Sequence, residues 1–363
     1  MNPIICISDS HLGYRHRSKT KRLFDFRKSF EDALSKALEL NPEVVIFGGD
    51  LLHHPKPDPV SMRALVKGLL DAAEKTQVVV IIGNHEIAGH LGTTYAPMYA
   101  DLHENIHVLS TENPHLKLSV GDKTVGFHGF QFIRNRELAE KTLREVASVS
   151  PSSDFEILCL HQAVEGYLSP HEISRAALRE VAPNFNLILC GHVHKRQRIS
   201  EVFDVCPAYI IGSTERVSFN EWENPTGFMV FEDFDFTSPR YVEVSSASMR
   251  KVTLDAGSIA PTELNRLIES TIWENGGVSL LQVDVKADVS GDILDVKQNW
   301  QDTFTDYTIL DVNVTPHSTE AEVMLESLEL SSDTIREYFE KSGLTCQDEL
   351  LDTCINLFEE FGR

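Results

Sequence analysis

Aspartate, asparagine and histidine side chains follow five short apolar runs in the first 200 residues, in an order that could hold two metal ions. Each run is rich in β-branched residues and is followed by turn residues, which predicts a buried strand. Because open α/β folds place their chemistry at the ends of their strands, we expect these side chains to collect along one edge of a sheet. They are Asp9 and His11 in CISDSHLG, Asp50 in VIFGGDLLHH, Asn84 and His85 in VIIGNHE, His161 in ILCLHQ, and His192 and His194 in ILCGHVH.

The types of these side chains predict a hydrolytic site with two metal ions. Side chains alternate along a strand, so Asp9 and His11 can bind one ion together. Asp50 is the natural bridge between two ions, and Asn84 adds a neutral oxygen ligand. Mixed nitrogen and oxygen ligands suit manganese, iron or zinc better than magnesium alone. Two such ions about 3.5–4 Å apart activate a shared water that attacks phosphorus, so no serine or cysteine nucleophile is needed.

The histidines divide into expected ligands and expected contacts to the substrate. His161 and His192 would complete the ligands of one ion, and His194 would complete the ligands of the other. His85 need not bind a metal, because beside a phosphate it could stabilise developing charge or protonate the departing alkoxide. His53 follows the bridging aspartate by three positions and is a second candidate for a phosphate contact.

The elements that must position these residues alternate between strand and helix. Core strands are predicted at 3–8, 43–48, 77–82, 156–160 and 186–190, and helices at about 22–40, 60–75, 94–103 and 135–149. This alternation predicts an α/β fold built in layers. Short β-rich pieces over 198–244 are interpreted as a second sheet that packs on the first. The predicted architecture is a four-layer α-β-β-α sandwich over residues 1–244.

Two further regions are predicted after this sandwich. Residues 245–328 are expected to form a small α+β cap domain that binds DNA, with strands in MRKVTLDA, SLLQVDVKAD and YTILDVNV and helices at 261–272 and 292–300. Residues 329–363 are expected to form a C-terminal helical segment. Its apolar positions recur at helical spacing, which fits either packing against the cap or docking of another protein.

The composition fits an ordered protein of two or three domains, with 363 residues of which 42% are hydrophobic. The longest aliphatic run, Val78 to Ile82, is too short to cross a bilayer. No export signal opens the chain, so we expect an intracellular protein of the cytoplasm or nucleoid with no membrane partner.

Six cysteines without a C-x-x-C pair indicate buried free thiols.

The formal net charge of −22 argues against a polyanionic partner, but the distribution of the charge matters more than its total. The segment 13–28 has seven basic residues and one acidic residue, and a second basic cluster directly follows the last predicted ligand. We interpret these clusters as contacts to a phosphate backbone, although solvated surface residues would look alike. A salt-adapted host could also explain the acidic excess. The candidate contacts are Arg15, Arg17, Lys19, Lys21, Lys195 and Arg196.

With these motifs, the sequence resembles the calcineurin-like metallophosphoesterases. Within them it is similar to the DNA double-strand-break repair nucleases of the archaeal and eukaryotic Mre-eleven type, which are related to bacterial SbcD. The resemblance rests on HLGY at 11–14, GGDLLHH at 48–54, GNH at 83–85, LHQ at 160–162, GHVHKRQ at 191–197 and GSTERVSFNEW at 212–222. The protein-phosphatase pattern G-D-x-x-D-R-G is absent.

The resemblance implies a role for each residue of the site. One metal would be bound by Asp9, His11, Asp50 and His194, and the other by Asp50, Asn84, His161 and His192. His85 would act on the transition state or the leaving group, and His53 would orient the phosphate. The family usually has an aspartate directly after G-N-H, where this chain has Glu86, so the hydrogen bonding of His85 is open.

The resemblance also implies the cofactors, the substrate and the partners. Two Mn²⁺ ions per subunit are expected, with Mg²⁺, Fe or Zn as other possibilities. The substrate would be DNA, degraded from 3′ ends in duplexes and cut internally in single strands. A homodimer would form through helices around 60–73 and 93–103, where Met62, Leu65, Val66 and Leu69 give an apolar stripe. The second partner would be a P-loop, coiled-coil ATPase of the Rad-fifty type.

Two other functions fit parts of the sequence. The same metal site could serve a small-molecule phosphodiesterase or phosphatase. The chain could also be a catalytically idle scaffold that binds DNA or the ATPase. The complete ligand set argues against a scaffold, and the predicted cap and basic segment argue against a small substrate.

Overall fold

Two six-stranded sheets form the centre of the protein. A computed structural model describes residues 2–16, 20–87, 94–149, 152–290 and 295–317. The strands of the sheets are β1 Ile4–Ile7, β2 Val44–Phe47, β3 Gln77–Ile81, β4 Ile106–Leu109, β5 His115–Val120, β6 Lys123–Gly129, β7 Phe155–Leu160, β8 Leu187–Cys190, β9 Gln197–Arg198, β10 Ala208–Ile210, β11 Gly227–Phe231 and β12 Arg240–Glu243. The helices are α1 Thr20–Glu39, α2 Pro59–Ala73, α3 Arg136–Ala147 and α4 Arg175–Val181, with 3₁₀ helices at Asn84–Glu86, Ala96–Asp101, Ala182–Asn184 and Phe219–Glu221.

The order of the strands is β12-β11-β1-β2-β3-β4 in the first sheet and β5-β6-β7-β8-β10-β9 in the second. Strands β1 to β4 are parallel, as are β6, β7, β8 and β10. Strands β11, β12, β5 and β9 are antiparallel to their neighbours. Both sheets are therefore mixed, with parallel strands at their centres.

Apolar side chains bury both faces of each sheet. In β1, Ile5 and Ile7 pack with α1 and α2 on the outer face, whereas Ile4 and Cys6 face the layer between the two sheets. A third cluster joins the outer face of the second sheet to α3 and α4, with Leu158 as one of its members. The predicted α-β-β-α sandwich is confirmed.

The composition of the second sheet differs from the prediction. Strands β7 and β8 belong to the second sheet, and β11 and β12 pair beside β1 in the first. The interpretation of 198–244 as the second sheet is thus wrong, because this segment supplies strands at one end of each sheet. Strands β4 to β6 and helix α4 were not predicted.

The chain divides into two compact units. Of the described residues, those within 1–252, 272–282 and 299–311 form the first unit, and those within 253–271, 283–298 and 312–317 belong to the second. Strands β13 Met249–Ile259, β14 Leu280–Val289 and β15 Ile309–Thr315 form a three-stranded sheet, and helix α5 spans Pro261–Glu274. The three strands and the first helix predicted for this region are confirmed. In contrast, 297–300 have no regular secondary structure, so this part of the predicted helix 292–300 is wrong.

Other predictions concern residues whose structure is not described. Residues 291–294 and the whole segment 318–363 lie outside the described ranges, so the C-terminal helices stay a prediction, as do the domain boundaries at 245 and 329. Among the described helices, none combines the length and hydrophobicity needed to span a bilayer. Cys6, Cys159, Cys190 and Cys206 are buried free thiols, as predicted.

Candidate metal centre

The ends of five strands bring the predicted ligands together, but these strands belong to both sheets. Asp9 and His11 follow β1, Asp50 follows β2 and Asn84 follows β3 in the first sheet, while His161 follows β7 and both His192 and His194 follow β8 in the second. The expectation that all ligands lie along the edge of one sheet is therefore wrong. Strands β7 and β8 pair with each other in the second sheet, whereas β1, β2 and β3 lie in the first. The site therefore lies where the strand ends of the two packed sheets meet.

One group of possible ligands contains Asp9, His11 and His194. Their ligand atoms all lie within 4.8 Å of one another. His194 Nε2 is 2.9 Å from His11 Nε2 and 3.7 Å from Asp9 Oδ1. Two imidazole nitrogens and a carboxylate oxygen thus face a common point, which is the arrangement that a divalent cation needs.

A second group contains Asp50, His161 and His192, again with ligand atoms within 4.8 Å. His161 Nε2 lies 3.2 Å from Asp50 Oδ2. The amide oxygen of Asn84 lies 2.8 Å from His192 Nδ1 and 3.2 Å from His161 Nε2. Asn84 therefore extends this group as the sequence predicts.

Asp50 lies between the two groups. The same Oδ2 atom that contacts His161 is 3.9 Å from His11 Nε2 of the first group. Its carboxylate is buried and its other oxygen accepts a hydrogen bond from the backbone N–H of His85 at 2.9 Å. This position suits a carboxylate shared by two cations, and the donor set as a whole fits two divalent ions.

The charges of the site leave Asp50 and His192 in forms that can bind metal. Burial would raise the pKa of Asp50, but the charge and hydrogen bond of His161 keep it well below its usual value. Burial, together with the charge of His161, lowers the pKa of His192 to about 3. At neutral pH the carboxylate is therefore ionised and His192 carries a free lone pair, as metal ligation requires. Burial would lower the pKa of His161 and His194, but neighbouring carboxylates raise both to about 9, so these two rings must lose a proton when a metal binds.

Hydrogen bonds on the far side of a ring decide which nitrogen faces the site. His161 Nδ1 lies 2.7 Å from the backbone carbonyl of Gly48. Because a carbonyl can only accept, Nδ1 carries a proton and Nε2 is left toward Asp50 and Asn84. The backbone of the first sheet thereby orients a ligand of the second sheet.

Backbone hydrogen bonds also join the loops after β1 and β2. The N–H of Asp9 donates to Gly49 O at 3.0 Å, and the N–H of His11 donates to Asp50 O at 2.9 Å. These bonds hold the carboxylates of two neighbouring loops at fixed positions.

Four of the predicted ligands have a left-handed backbone. Their φ angles are 51° for Asp9, 42° for His11, 49° for Asp50 and 76° for His192. Non-glycine residues pay about 1–3 kcal/mol each for such a conformation and keep it only where the surroundings enforce it. The strain turns the side chains toward a common point, and nothing in the sequence indicates it.

Two glycines of the motifs allow the close packing of the loops. A Cβ atom on Gly49, which has φ +100°, would lie 2.3 Å from His161 Nδ1. A Cβ atom on Gly83 would lie 2.1 Å from Asp50 Oδ1. The glycines of GGD and GNH are therefore needed because ligand side chains occupy the space of a side chain there.

His85 and His53 lie side by side next to the first group. Their rings stack with centroids 4.5 Å apart, and His53 Nδ1 is 3.2 Å from His11 Nδ1. His85 Nδ1 donates to the carbonyl of His53 at 2.9 Å. Burial and the charge of His85 lower the pKa of His53 to about 3, so His53 is a neutral ring at physiological pH.

The Glu86 carboxylate does not take the position that would orient His85. It is buried and accepts hydrogen bonds from the backbone N–H of Gly83 at 3.1 Å and from the Tyr99 hydroxyl at 3.3 Å. Burial, together with the charge of Asp50, raises its pKa to about 8. In the described structure the carbonyl of His53 holds the ring of His85 instead, which answers the question left open by the sequence.

The basic segment before α1 is described in part. Arg17 and Lys19 lie outside the described residues. Arg15 has a side chain that is 46% exposed and lies 3.8 Å from the Asp58 carboxylate. Lys21 is exposed. Arg15 and Lys21 are thus accessible to a ligand, as the prediction of DNA contacts requires.

Arg22, also counted in the basic segment, is a structural residue. It is buried, with its guanidinium 3.1 Å from the Asp25 carboxylate and 3.8 Å from that of Glu215. Glu215 also accepts hydrogen bonds from Ser29 and from the backbone N–H of Ala247. The GSTER segment thereby joins α1 to the chain after β12.

The second basic cluster has one exposed and one stacked member. Lys195 is exposed, whereas the Cζ atom of Arg196 lies 3.8 Å from the ring centroid of Tyr241. A guanidinium in this position is held by the ring.

Glu221 is a residue of the site that the sequence did not single out. Its carboxylate lies 3.0 Å from Nδ1 of His194. The signal available was its place in the quoted segment GSTERVSFNEW, but spacing alone does not show that this segment approaches the end of β8.

Comparisons with known proteins agree with this site. Residues 2–196 match the profile of the family described as calcineurin-like phosphoesterase. The chain is 26% identical to the DNA double-strand break repair protein Mre11 of Methanococcus maripaludis over 66% of this chain and 66% of that protein. It is 29% identical to the protein of that name from Methanocaldococcus jannaschii, over 60% and 58%, and 25% identical to that from Archaeoglobus fulgidus, over 71% and 62%. The matches span less than two thirds of the length of each relative.

Proposed function

Because this chain belongs to the calcineurin-like phosphoesterase family, we propose that it is a DNA nuclease that hydrolyses phosphodiesters with two metal ions in double-strand-break repair. The observation that carries the proposal is the position of Asp50, whose Oδ2 lies 3.2 Å from His161 of one ligand group and 3.9 Å from His11 of the other. A carboxylate so placed would hold two cations at once. The choice of DNA rests on the Mre11 relatives.

Each metal position has its own residues in the proposed site. Asp9, His11, Asp50 and His194 would hold one ion, and Asp50, Asn84, His161 and His192 the other. Manganese is the proposed metal, with Mg²⁺, Fe or Zn as other ions that the same nitrogen and oxygen donors could hold. Two divalent ions supply an activated water and charge stabilisation for an in-line displacement.

The protein itself orients the phosphate and moves a proton. His85 keeps a proton on Nδ1, bound to the carbonyl of His53. Its Nε2 is then the atom that can hold a proton for the departing oxygen. His53 is neutral, so it would contact the phosphate by a hydrogen bond rather than by charge.

DNA would be held by the basic residues near α1 and after β8. Arg15, Lys21 and Lys195 are exposed, which supports contacts to backbone phosphates. Arg17, Lys19 and Arg196 belong to the same proposal. The proposed cleavage is 3′–5′ degradation of duplex DNA and internal cutting of single strands, tested with blunt, nicked and hairpin DNA.

The proposed assembly is a homodimer with a P-loop, coiled-coil ATPase, acting inside the cell. The stripe predicted for the dimer is largely internal, because Leu65 and Leu69 are fully buried in the core. Apolar side chains that are exposed nearby support the dimer better, namely Val60 at 41%, Tyr95 at 47% and Met98 at 57%. The proposed site for the ATPase is the C-terminal segment.

One experiment separates a nuclease from a small-molecule phosphoesterase. Turnover of linear duplex DNA and of nitrophenyl phosphate esters is compared with Mn²⁺, for the natural chain and for Asp50→Asn. We expect manganese-dependent degradation of DNA that Asp50→Asn abolishes. Turnover of the esters alone would refute the nuclease, and loss of neither activity in Asp50→Asn would refute the shared carboxylate.

A further inference from the structure

His194 is contacted from both sides of its ring. Its Nε2 faces Asp9 and His11, as described above, and its Nδ1 lies 3.0 Å from Oε1 of Glu221. An ionised carboxylate can only accept, so Nδ1 must donate. When the proton on Nε2 leaves, as metal binding requires, the ring presents the lone pair of Nε2 to the first group of ligands.

Glu221 is itself held in place. It ends the 3₁₀ helix Phe219–Glu221, and its second oxygen accepts a hydrogen bond from the backbone N–H of Val217 at 2.8 Å. The Glu221 side chain is 18% exposed, and that of His194 is 17% exposed. With both oxygens engaged and little contact with water, the carboxylate has a fixed position behind the ring.

The other histidines of the site have different partners. Nδ1 of His161 donates to a neutral carbonyl, that of Gly48, and Nδ1 of His11 faces the ring of His53. Within the described ranges, the structure gives a carboxylate behind the ring to His194 and to no other proposed ligand. A carboxylate in this place both fixes the tautomer and makes the opposite nitrogen a stronger metal ligand.

We propose that Glu221 is a positioning residue for the metal position formed by Asp9, His11 and His194. This inference rests on the proposed two-metal function. Partners of this kind change metal affinity by about 10–100-fold when they are removed. Glu221→Ala should therefore weaken Mn²⁺ binding at this position by about 10–100-fold, and binding at the position of Asp50, His161 and His192 should change less.

Binding of Mn²⁺ to the full chain tests the inference without any substrate. The numbers of ions and their affinities are measured by calorimetry and by the manganese resonance signal, for the natural chain, Glu221→Ala and Glu221→Gln. Glu221→Gln keeps the size of the side chain and an accepting oxygen without its charge, so its loss of affinity should be smaller. Glu223→Ala removes an exposed carboxylate two positions away and should bind both ions as the natural chain does.

A second readout follows the ring itself. In the metal-free chain labelled with ¹⁵N-histidine, the Nδ1–H signal of His194 should persist in the natural protein and in Glu221→Gln. It should be lost to exchange in Glu221→Ala. A residue with a general structural role would not change the proton on this one nitrogen.

The outcomes separate the inference from the proposed function. Two tightly bound ions in the natural chain and unchanged affinities in Glu221→Ala overturn the role of Glu221 and leave the nuclease standing. A natural chain that binds no Mn²⁺ overturns both. If Glu221→Ala does not fold, as judged by circular dichroism, Glu221→Gln decides, since unchanged affinity there also overturns the inference.

Discussion

His85 is fixed through its backbone and its ring at once. Its N–H donates to Asp50 Oδ1 and its Nδ1 to the carbonyl of His53, both at 2.9 Å. The main chain of His85 therefore contacts the proposed bridging carboxylate of Asp50. Its ring is not a member of the two ligand groups that contain Asp9 or Asp50. This separates holding the metals from acting on the substrate.

His85→Ala should lower the rate of DNA hydrolysis by about 10²–10⁴-fold, the usual contribution of a positioned proton donor. The backbone hydrogen bond to Asp50 remains, so the variant should still bind two Mn²⁺ ions. Degradation of linear duplex DNA and titration with Mn²⁺ measure the two effects separately. His115→Ala, at an exposed position of the edge strand β5, should degrade DNA at the natural rate. Unchanged degradation by His85→Ala would contradict the role given to it.

The pair of Arg22 and Glu215 is the most buried ion pair of the described structure outside the metal centre, with side chains 1% and 0% exposed. Arg22→Met leaves the carboxylate buried without its cation and should cost about 3–5 kcal/mol. The double variant Arg22→Met/Glu215→Leu should cost less than the sum of the single changes. Urea unfolding of the three variants tests this, and additive losses would show that the two charges are not coupled.

At the scale of elements, the loops after the strands matter more than the helices. The helices cover the outer faces of the sheets, and their burial follows ordinary amphipathic patterns. The loops carry the ligands, four of them in left-handed conformations. Helix α2 begins six residues after His53, so its first turn limits where the loop after β2 can go.

Asp58 fixes that first turn of α2. Its carboxylate accepts from the backbone N–H groups of Val60 at 3.0 Å and Ser61 at 3.1 Å. Asp58→Ala should cost about 0.5–2 kcal/mol, whereas Asp58→Asn should cost little because asparagine caps as well. Thermal unfolding near neutral pH measures the difference between the two variants.

The cost of Asp58→Ala should depend on pH. Burial would raise the pKa of Asp58, but hydrogen bonds from Ser61 and Val60 and the charge of Arg15 lower it overall. A lowered pKa means that the stabilisation is present above the pKa of the unfolded chain, about 3.9, and is lost as the pH falls through the folded value. The deficit of Asp58→Ala should therefore shrink below about pH 4. A deficit that is constant from pH 3 to 7 would contradict this.

Elements could be predicted from the sequence where a local signal exists. The runs that become β1, β2, β3, β7 and β8 are apolar and bounded by turns, so their existence and the polar residues that follow them were predictable. The sequence could not show which of these strands belong to the same sheet. In β1, Ile4 and Ile5 face opposite layers that are both apolar, so no alternation shows which strand pairs with which. The pairing of Ile4 with Phe231 joins residues too distant in sequence to leave a local pattern.

The candidate site shows the same limit. The types of the ligands and their order were readable because each follows a strand. The positive φ angles of Asp9, His11, Asp50 and His192 could not be predicted from the sequence, since they result from contacts between loops. The contact of Glu221 with His194 depends on a 3₁₀ helix that approaches from 27 residues further along the chain.

At the scale of the whole molecule, the net charge of −22 opposes the binding of DNA. The proposed contacts can overcome this charge because the field near a surface depends on the nearest groups, and salt screens distant ones within about 8–10 Å. The exposed side chains of Arg15 and Lys21 come after the ligand loop that follows β1, and that of Lys195 comes after the ligand loop that follows β8. Affinity for DNA should therefore depend strongly on a few positions.

Replacing Arg15, Arg17, Lys19 and Lys21 together by alanine should weaken DNA binding and reduce its dependence on salt. Each lost phosphate contact in duplex DNA should reduce the slope of log affinity against log salt by about 0.9. Binding of duplex DNA by Asp50→Asn, which should not cleave it, gives the slope at several salt concentrations. Replacing the exposed Arg136 and Lys141 of α3 is the control. An unaltered slope would make the segment ordinary surface.

Because each ligand group draws residues from both sheets, a bound ion would cross-link the two halves of the sandwich. The first group takes Asp9 and His11 from one sheet and His194 from the other, and the second group takes Asp50 from one and His161 and His192 from the other. Occupancy at 100 times the dissociation constant adds about 2.7 kcal/mol per site to the folded state. Chelation should thus make the protein melt at a lower temperature as well as inactivate it, which links the metal supply of the cell to the lifetime of the fold.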